Sequence, residues 1–362
     1  MNSPRGRCAP NSPNAIRGAW LSASSQPPTA AIFGCEGLAL SDREKSFFAK
    51  TNPLGFILFA RNVRDPGQVR SLVGELRSCV GRADAPVLID QEGGRVQRLR
   101  PPHWRQAPPM ARFGELDDLL RASRAARLNA SLIAAELGAL GIDVDCAPVL
   151  DLPVAGAHDV IGDRAFSGDA EVVASLGRAV CDGLLAGGVI PVVKHIPGHG
   201  RACVDSHHRL PVVDADLAVL RATDFRPFGE LRDAPWAMTA HVVYTALDAA
   251  APATISKKVI ETIIRGEIGF GGVLVSDDLS MKALSGNLDD RARAALAAGC
   301  DVVLHCNGDM AEMEAVAAAT HPLADAALER LNRATSRRAE VAAAIDVAVT
   351  LSELTALIGT AA

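Results

Sequence analysis

Residues 169–200 read DAEVVASLGRAVCDGLLAGGVIPVVKHIPGHG. Asp169–Ala186 carries apolar residues at helical spacing, Gly187-Gly188 stop it, and Val189–His195 follows as a continuous apolar, β-branched run. A strand that is apolar on both faces is buried on both faces, as in a parallel sheet covered by helices. The run ends abruptly on two ionisable residues, Lys194-His195, before Ile-Pro-Gly-His-Gly.

The same unit recurs on either side. Strands are predicted at Ala31–Phe33, Gly55–Ala60, Pro86–Asp90, Ile142–Pro148, Trp236–His241, Gly272–Asp277 and Asp301–Cys306, in addition to Val189–His195. Helical spacing fills the gaps at Pro66–Val80, Leu116–Leu140, Leu217–Leu231, Ser256–Gly266 and Leu288–Gly299, with Asp65, Ser256 and Asn287 as candidate caps. Eight βα units in roughly 300 residues predict a (β/α)8 barrel of the α/β class. A doubly wound open sheet is the alternative, weakened because no GxGxxG follows the first strand. The wide gap between strands three and four, with Pro101-Pro102 and Pro108-Pro109, reads as an ordered surface loop. Asp325–Ala344 and Leu351–Ile358 read as terminal helices packed on the barrel.

Composition narrows the class of function. The chain has 362 residues, 37 basic against 42 acidic side chains, and a net charge of −5. It shows no basic stripe of the kind a nucleic-acid partner requires, and no apolar run approaching the ~18 residues that span a bilayer. Eight cysteines, none in a CxxC pair, read as reduced core residues and point to the cytoplasm. Residues 1–28, rich in Ser, Pro and Asn, read as a disordered extension, and 29–362 as a single catalytic domain. A monomer is the favoured state.

Polar residues fall where a barrel would use them. Strand three ends in Asp90 and runs into Gln-Glu-Gly-Gly-Arg-Val-Gln-Arg98; strand five ends in Lys194-His195, strand six in His241, strand seven in Asp277-Asp278, and strand eight near Asn307. In a (β/α)8 barrel these ends share one face, the face that carries chemistry. A scaffold has no reason to collect ionisable groups there, so the chain reads as an enzyme. The loop Asp205-Ser206-His207 adds a histidine able to exchange protons near neutrality, with a carboxylate to orient it. Asp277 is then a nucleophile or a charge stabiliser, and the set suits acid/base-assisted displacement at an uncharged carbon. A metal-dependent hydrolase built on His195, His199, His241 and Asp277 is a rival reading.

Four ordered motifs carry a resemblance: Lys194-His-Ile-Pro-Gly-His-Gly200 with Asp205-Ser-His207; Ser276-Asp-Asp-Leu-Ser-Met281; Asp90 to Arg98; and Val160-Ile-Gly-Asp-Arg-Ala-Phe166. Together they resemble the signatures of glycoside hydrolase family 3 β-N-acetylhexosaminidases over about residues 30 to 345. The resemblance implies a retaining mechanism with Asp277 as nucleophile, His207 as an unusual histidine acid/base and Asp205 as its partner. It implies that Asp90, Arg98, Arg164, Lys194 and His195 hold an N-acetylglucosamine, that no cofactor or metal is needed, and that the substrate is a small carbohydrate. That substrate would be a cytosolic muropeptide ending in β-linked N-acetylglucosamine on 1,6-anhydro-N-acetylmuramic acid. A low aromatic content of 4% fits a pocket for one terminal sugar better than a long stacked groove. Three rivals within glycoside chemistry stay open: another sugar preference, attack by the substrate's own acetamido oxygen, and phosphorolysis. An acid carried on a loop further predicts hinges at Gly198 and Gly200.

Overall fold

The structure, a computed structural model, describes residues 27–156, 158–341 and 344–359. Nearly all of the N-terminal segment read as an extension therefore lies outside the described residues. Eight strands close a barrel, and all of their pairings are parallel: β1 (Thr29–Phe33), β2 (Pro53–Leu58), β3 (Val87–Ile89), β4 (Val144–Asp145), β5 (Ile190–Ile196), β6 (Trp236–Thr239), β7 (Val273–Asp278) and β8 (Val302–His305). Each pairs with the next in sequence, and β8 returns to β1 through Ala31↔Val303 and Phe33↔His305. This is the (β/α)8 barrel that the eight repeated units predict; the open sheet is excluded.

Alternation along the strands sorts the core into two shells. Ile32, Ile57, Leu88, Val144, Val192, Trp236, Met238, Val275 and Leu304 pack together inside the barrel. Their neighbours Ala31, Phe33, Phe56, Ile89, Val193, Ala237 and Val303 pack outward against the helices. Each such side chain, fully withdrawn from water, contributes on the order of 1.5–3 kcal/mol.

The interior shell is sealed at one end. Leu328, Leu331 and Ala334 of helix Asp325–Val341 join it, and the same helix is bound to residues that precede the strands. Arg330 reaches Asp301 (2.6 Å) before β8, and Arg338 reaches Asp143 (2.9 Å) before β4. This terminal helix therefore plugs the N-terminal mouth, leaving the C-terminal mouth as the accessible end. The last helix, Val347–Ile358, instead lies against helix Leu119–Gly138, tied by Arg124–Glu353 at 3.0 Å.

Local chemistry explains the departures from the sequence reading. The crossover expected at Leu217–Leu231 is two short helices, Leu217–Ala222 and Phe225–Glu230. Pro227 lacks an N–H and its ring would clash with the carbonyl of Thr223, where the run breaks. Of the three candidate caps, Asp65 accepts from Gln68 N (2.9 Å) and Ser256 from Val259 N (3.1 Å), whereas Asn287 makes no side-chain cap. The loop between β3 and β4 contains an unforeseen antiparallel hairpin, Gln91–Gly93 with Val96–Gln97. Of the seven described cysteines, Cys35, Cys146, Cys181, Cys300 and Cys306 are buried and Cys203 is exposed. No helix among the described residues is long and apolar enough to cross a membrane.

Candidate active site

The open mouth holds a cleft of about 300 Å³ lined by Asp90, Arg98, Arg164, Lys194, His195, His207 and Asp277. Seven of the eight residues that the resemblance assigns to catalysis and sugar binding thus meet in one cavity, and the eighth, Asp205, is bonded to His207. Asn307 does not join them: it is exposed and hydrogen-bonded to Glu312, while Cys306 before it faces the cleft.

One wall is a buried ionic network. Lys194 Nζ lies 3.0 Å from Asp90 Oδ1 and 2.7 Å from Glu92 Oε1. Arg98 Nη2 donates to Asp90 Oδ2 at 2.9 Å, and Arg164 clamps Glu92 with two bonds of 2.9 Å. Burial pushes both carboxyls up, but the cations outweigh it and hold Asp90 and Glu92 below the usual carboxylate range. Two carboxylates facing three cations leave directional, charge-assisted donors for sugar hydroxyls. Glu92 is not singled out by sequence, although it lies inside the 90–98 motif. Without it, Arg164 and Lys194 would lose a shared buried partner.

Behind this wall sits Asp145 on β4. It is fully buried, accepts from Gln91 N at 2.9 Å through Oδ1, and its Oδ2 has no partner. Burial pushes its carboxyl up to about 7, with Gln91 N–H and Lys194 opposing and Asp90 and Glu92 assisting. A carboxyl that holds its proton more tightly folded than unfolded stabilises the fold most at low pH, and loses that contribution as pH rises through about 7. Asp145→Asn is therefore expected to be more favourable at pH 8 than at pH 5, by about 2–4 kcal/mol. Urea unfolding of both proteins at the two pH values checks this, and equal differences would refute it.

A second carboxylate organises the histidines. Asp151, just past β4, accepts from His195 Nδ1 (2.7 Å), His195 N (3.1 Å) and His199 N (2.6 Å). Burial opposes its charge, but His195 and His199 hold it down to about 2. Like Glu92 it escapes the sequence reading, yet it is a polar residue close to a strand end, the signal that finds the others.

The floor is the Asp277-Asp278 pair, and the structure separates the two. Asp278 builds the turn after β7, accepting from Ser280 N (3.0 Å), Ser280 Oγ (2.5 Å) and Cys306 N (3.2 Å). Asp277 accepts only from Asp278 N, at 2.8 Å. Burial raises its carboxyl, but His241, His195, the Asp278 N–H and His207 together hold it below the ordinary range, so it is a carboxylate at neutral pH. His241 is buried, with Nε2 3.0 Å from the Asp278 carbonyl and Nδ1 2.7 Å from Thr254 Oγ1. Because a carbonyl can only accept, Nε2 carries the proton.

Over the cleft lies the loop after β5. His207 Nδ1 is 2.7 Å from Asp205 Oδ1, which also accepts from His207 N at 2.9 Å. The carboxylate fixes the tautomer with Nδ1–H and leaves Nε2 to exchange a proton. Gly198 and Gly200, expected as hinges, are both closely packed in this structure. Gly198 has φ +138° and its carbonyl accepts from Tyr244 Oη at 2.5 Å, and a Cβ on Gly200 would lie 1.9 Å from the Leu152 carbonyl oxygen. Gly198 is required by its positive φ, with the Asp224 side chain also close, and Gly200 by the approach of the Leu152 backbone. Among the described residues no group of three or more His, Cys, Asp or Glu side chains is placed to hold a metal. Of the imidazoles in the metal reading, His195 is bonded through Nδ1 to Asp151 and His241 through both ring nitrogens.

Residues 29–341 match the Glycosyl hydrolase family 3 N terminal domain. A β-hexosaminidase of Bordetella avium is 42% identical over 289 residues, covering 78% of this chain and 81% of the relative. Among solved structures, NagZ from Neisseria gonorrhoeae in complex with N-trifluoroacetyl-D-glucosamine superposes with a TM-score of 0.81 at 32% identity, covering 92% of this chain and 99% of that one. A family 3 β-N-acetylglucosaminidase from a Paenibacillus strain aligns with a TM-score of 0.79 at 33% identity, over 91% of this chain and 66% of the other. With the family match over residues 29–341, 42% identity to the Bordetella avium relative and a barrel that superposes on these structures, the chain belongs to glycosyl hydrolase family 3.

Proposed function

We propose that the protein is a retaining exo-β-N-acetylglucosaminidase that removes terminal β-linked N-acetylglucosamine from 1,6-anhydro-N-acetylmuramic acid muropeptides in the cytoplasm, during cell-wall recycling. One observation carries the reading: a half-buried aspartate, held below the ordinary carboxylate range, stands at the floor of a small cleft that also takes in a carboxylate-paired histidine. Glycoside cleavage needs a nucleophile at the anomeric carbon and a proton for the departing oxygen. Asp277 bonds to the anomeric carbon as the glycosidic C–O bond breaks, and protonated His207 gives its proton to the leaving oxygen. Neutral His207 then takes a proton from water as that water displaces Asp277, which returns to a free carboxylate with the β configuration retained. Asp90, Arg98, Arg164, Lys194 and His195 grip the sugar hydroxyls. Asp278, being committed to its turn, is not free to orient an attacking acetamide, which favours the covalent route over substrate assistance.

The test is incubation with the N-acetylglucosaminyl-anhydromuramic acid disaccharide, with and without inorganic phosphate, following the anomer by NMR. Free β-N-acetylglucosamine as first product is expected. Release of glucose from β-glucosides alone would overturn the sugar assignment, and sugar 1-phosphate would overturn hydrolysis.

A further inference from the structure

We infer that Ser206 is the positioning residue that sets His207 in the cleft, acting through His199 and Asp151. The inference rests on His207 being the acid/base.

The middle residue of Asp205-Ser206-His207 behaves unlike its neighbours. Ser206 is 3% exposed, whereas the side chain of His207 is 60% exposed. The start of the loop is tied down by Arg201, which pairs with Asp224 at 2.6 Å, but within Asp205-Ser206-His207 the bonds that reach other segments come from Ser206. Its Oγ lies 3.1 Å from His199 Nε2, and its carbonyl accepts from Ala283 N at 3.2 Å. Ala283 belongs to the segment that follows Asp277 and contains the cleft residue Met281. One buried serine therefore ties the loop that carries the acid to the loop that follows the nucleophile.

The anchor on the other side is rigid. His199 is buried, its N–H is held by Asp151, and its ring meets that of His195 edge-on at 5.6 Å. Burial and the neighbouring His195 keep it neutral, down to about 4. Its Nδ1 has no partner, so Ser206 is the ring's one polar contact among the described residues. Asp151 thus holds both a proposed sugar-binding residue, His195, and the seat of the acid. A group that orients an acid in this way matters only for the step that needs the proton.

The test measures kcat/KM, which reports the first chemical step, for Ser206→Ala, Ser206→Thr, His199→Leu and His207→Ala. Two N-acetylglucosaminides are compared: the disaccharide, whose leaving group needs protonation, and a dinitrophenyl glycoside, whose leaving group does not. Ser206→Ala and His199→Leu are expected to fall about ten- to a hundredfold on the disaccharide and by less than about threefold on the dinitrophenyl substrate. Ser206→Thr, which keeps the hydroxyl, is expected to recover most of the loss. Equal falls on both substrates in Ser206→Ala and His199→Leu, or no fall, while His207→Ala shows the leaving-group split, would overturn the positioning role alone. Absence of the split in His207→Ala would overturn the acid assignment and this inference with it. Should Ser206→Ala fail to fold, His199→Leu tests the same bond from the opposite side.

Discussion

Asp277→Ala is expected to abolish hydrolysis of every N-acetylglucosaminide, good and poor leaving groups alike, with kcat/KM reduced by ~10⁴-fold or more. The reason is geometric. Asp278 is spent on Ser280 and Cys306, so no adjacent carboxylate can take over. Asp277 takes a single hydrogen bond, from Asp278 N, and carries its charge at the floor of the cleft, where it is placed to stabilise a developing oxocarbenium ion. Removing the side chain also leaves space at the floor. Azide should enter that space and restore turnover, giving the α-glycosyl azide by inversion. Steady-state kinetics with chromogenic substrates, followed by NMR of the azide product, checks both parts. Retained activity, or a β-azide, would contradict the assignment.

His207→Ala is expected to split substrates by leaving group. For the disaccharide the departing oxygen needs a proton in the transition state, so kcat/KM should fall by about 10²–10⁴. For a dinitrophenyl glycoside the first step should run near the wild-type rate and the glycosyl-enzyme should accumulate, since the same imidazole activates water in the second step. Azide needs no general base and should rescue this variant with retention, giving the β-azide. The two variants should thus yield opposite anomers from one nucleophile, which separates the two roles without any crystal. A uniform loss on all substrates would reduce His207 to a structural residue.

Much of this is legible in the sequence because a (β/α)8 barrel writes itself locally: each apolar run, glycine stop and polar strand end is a short-range signal. Asp90, Lys194, His195 and Asp277 stand out on that logic alone. What escapes depends on the third dimension. Glu92 looks like one more residue of a polar loop until Arg164 and Lys194, over seventy residues away, converge on it. Asp145 is a charge inside an apolar strand, a conflict visible in the sequence whose resolution, a proton held by burial, is not. Gly198 and Gly200 read as hinges in the sequence, which shows neither the positive φ of the first nor the backbone packed against the second. The break at Thr223 is encoded by Pro227, but helical spacing on both sides masks it.

The central claim is a covalent glycosyl-enzyme on Asp277, and trapping tests it most directly. A 5-fluoro-N-acetylglucosaminyl fluoride slows both steps by destabilising positive charge at the anomeric centre, while its good leaving group lets the first proceed. Peptide mass spectrometry after incubation should show one added fluorosugar on the peptide containing Ser276-Asp277-Asp278, with the ester on Asp277. An unlabelled, fully active enzyme that releases an oxazoline would contradict the claim: the substrate's own acetamido oxygen would then be the nucleophile, and Asp277 would form no covalent intermediate.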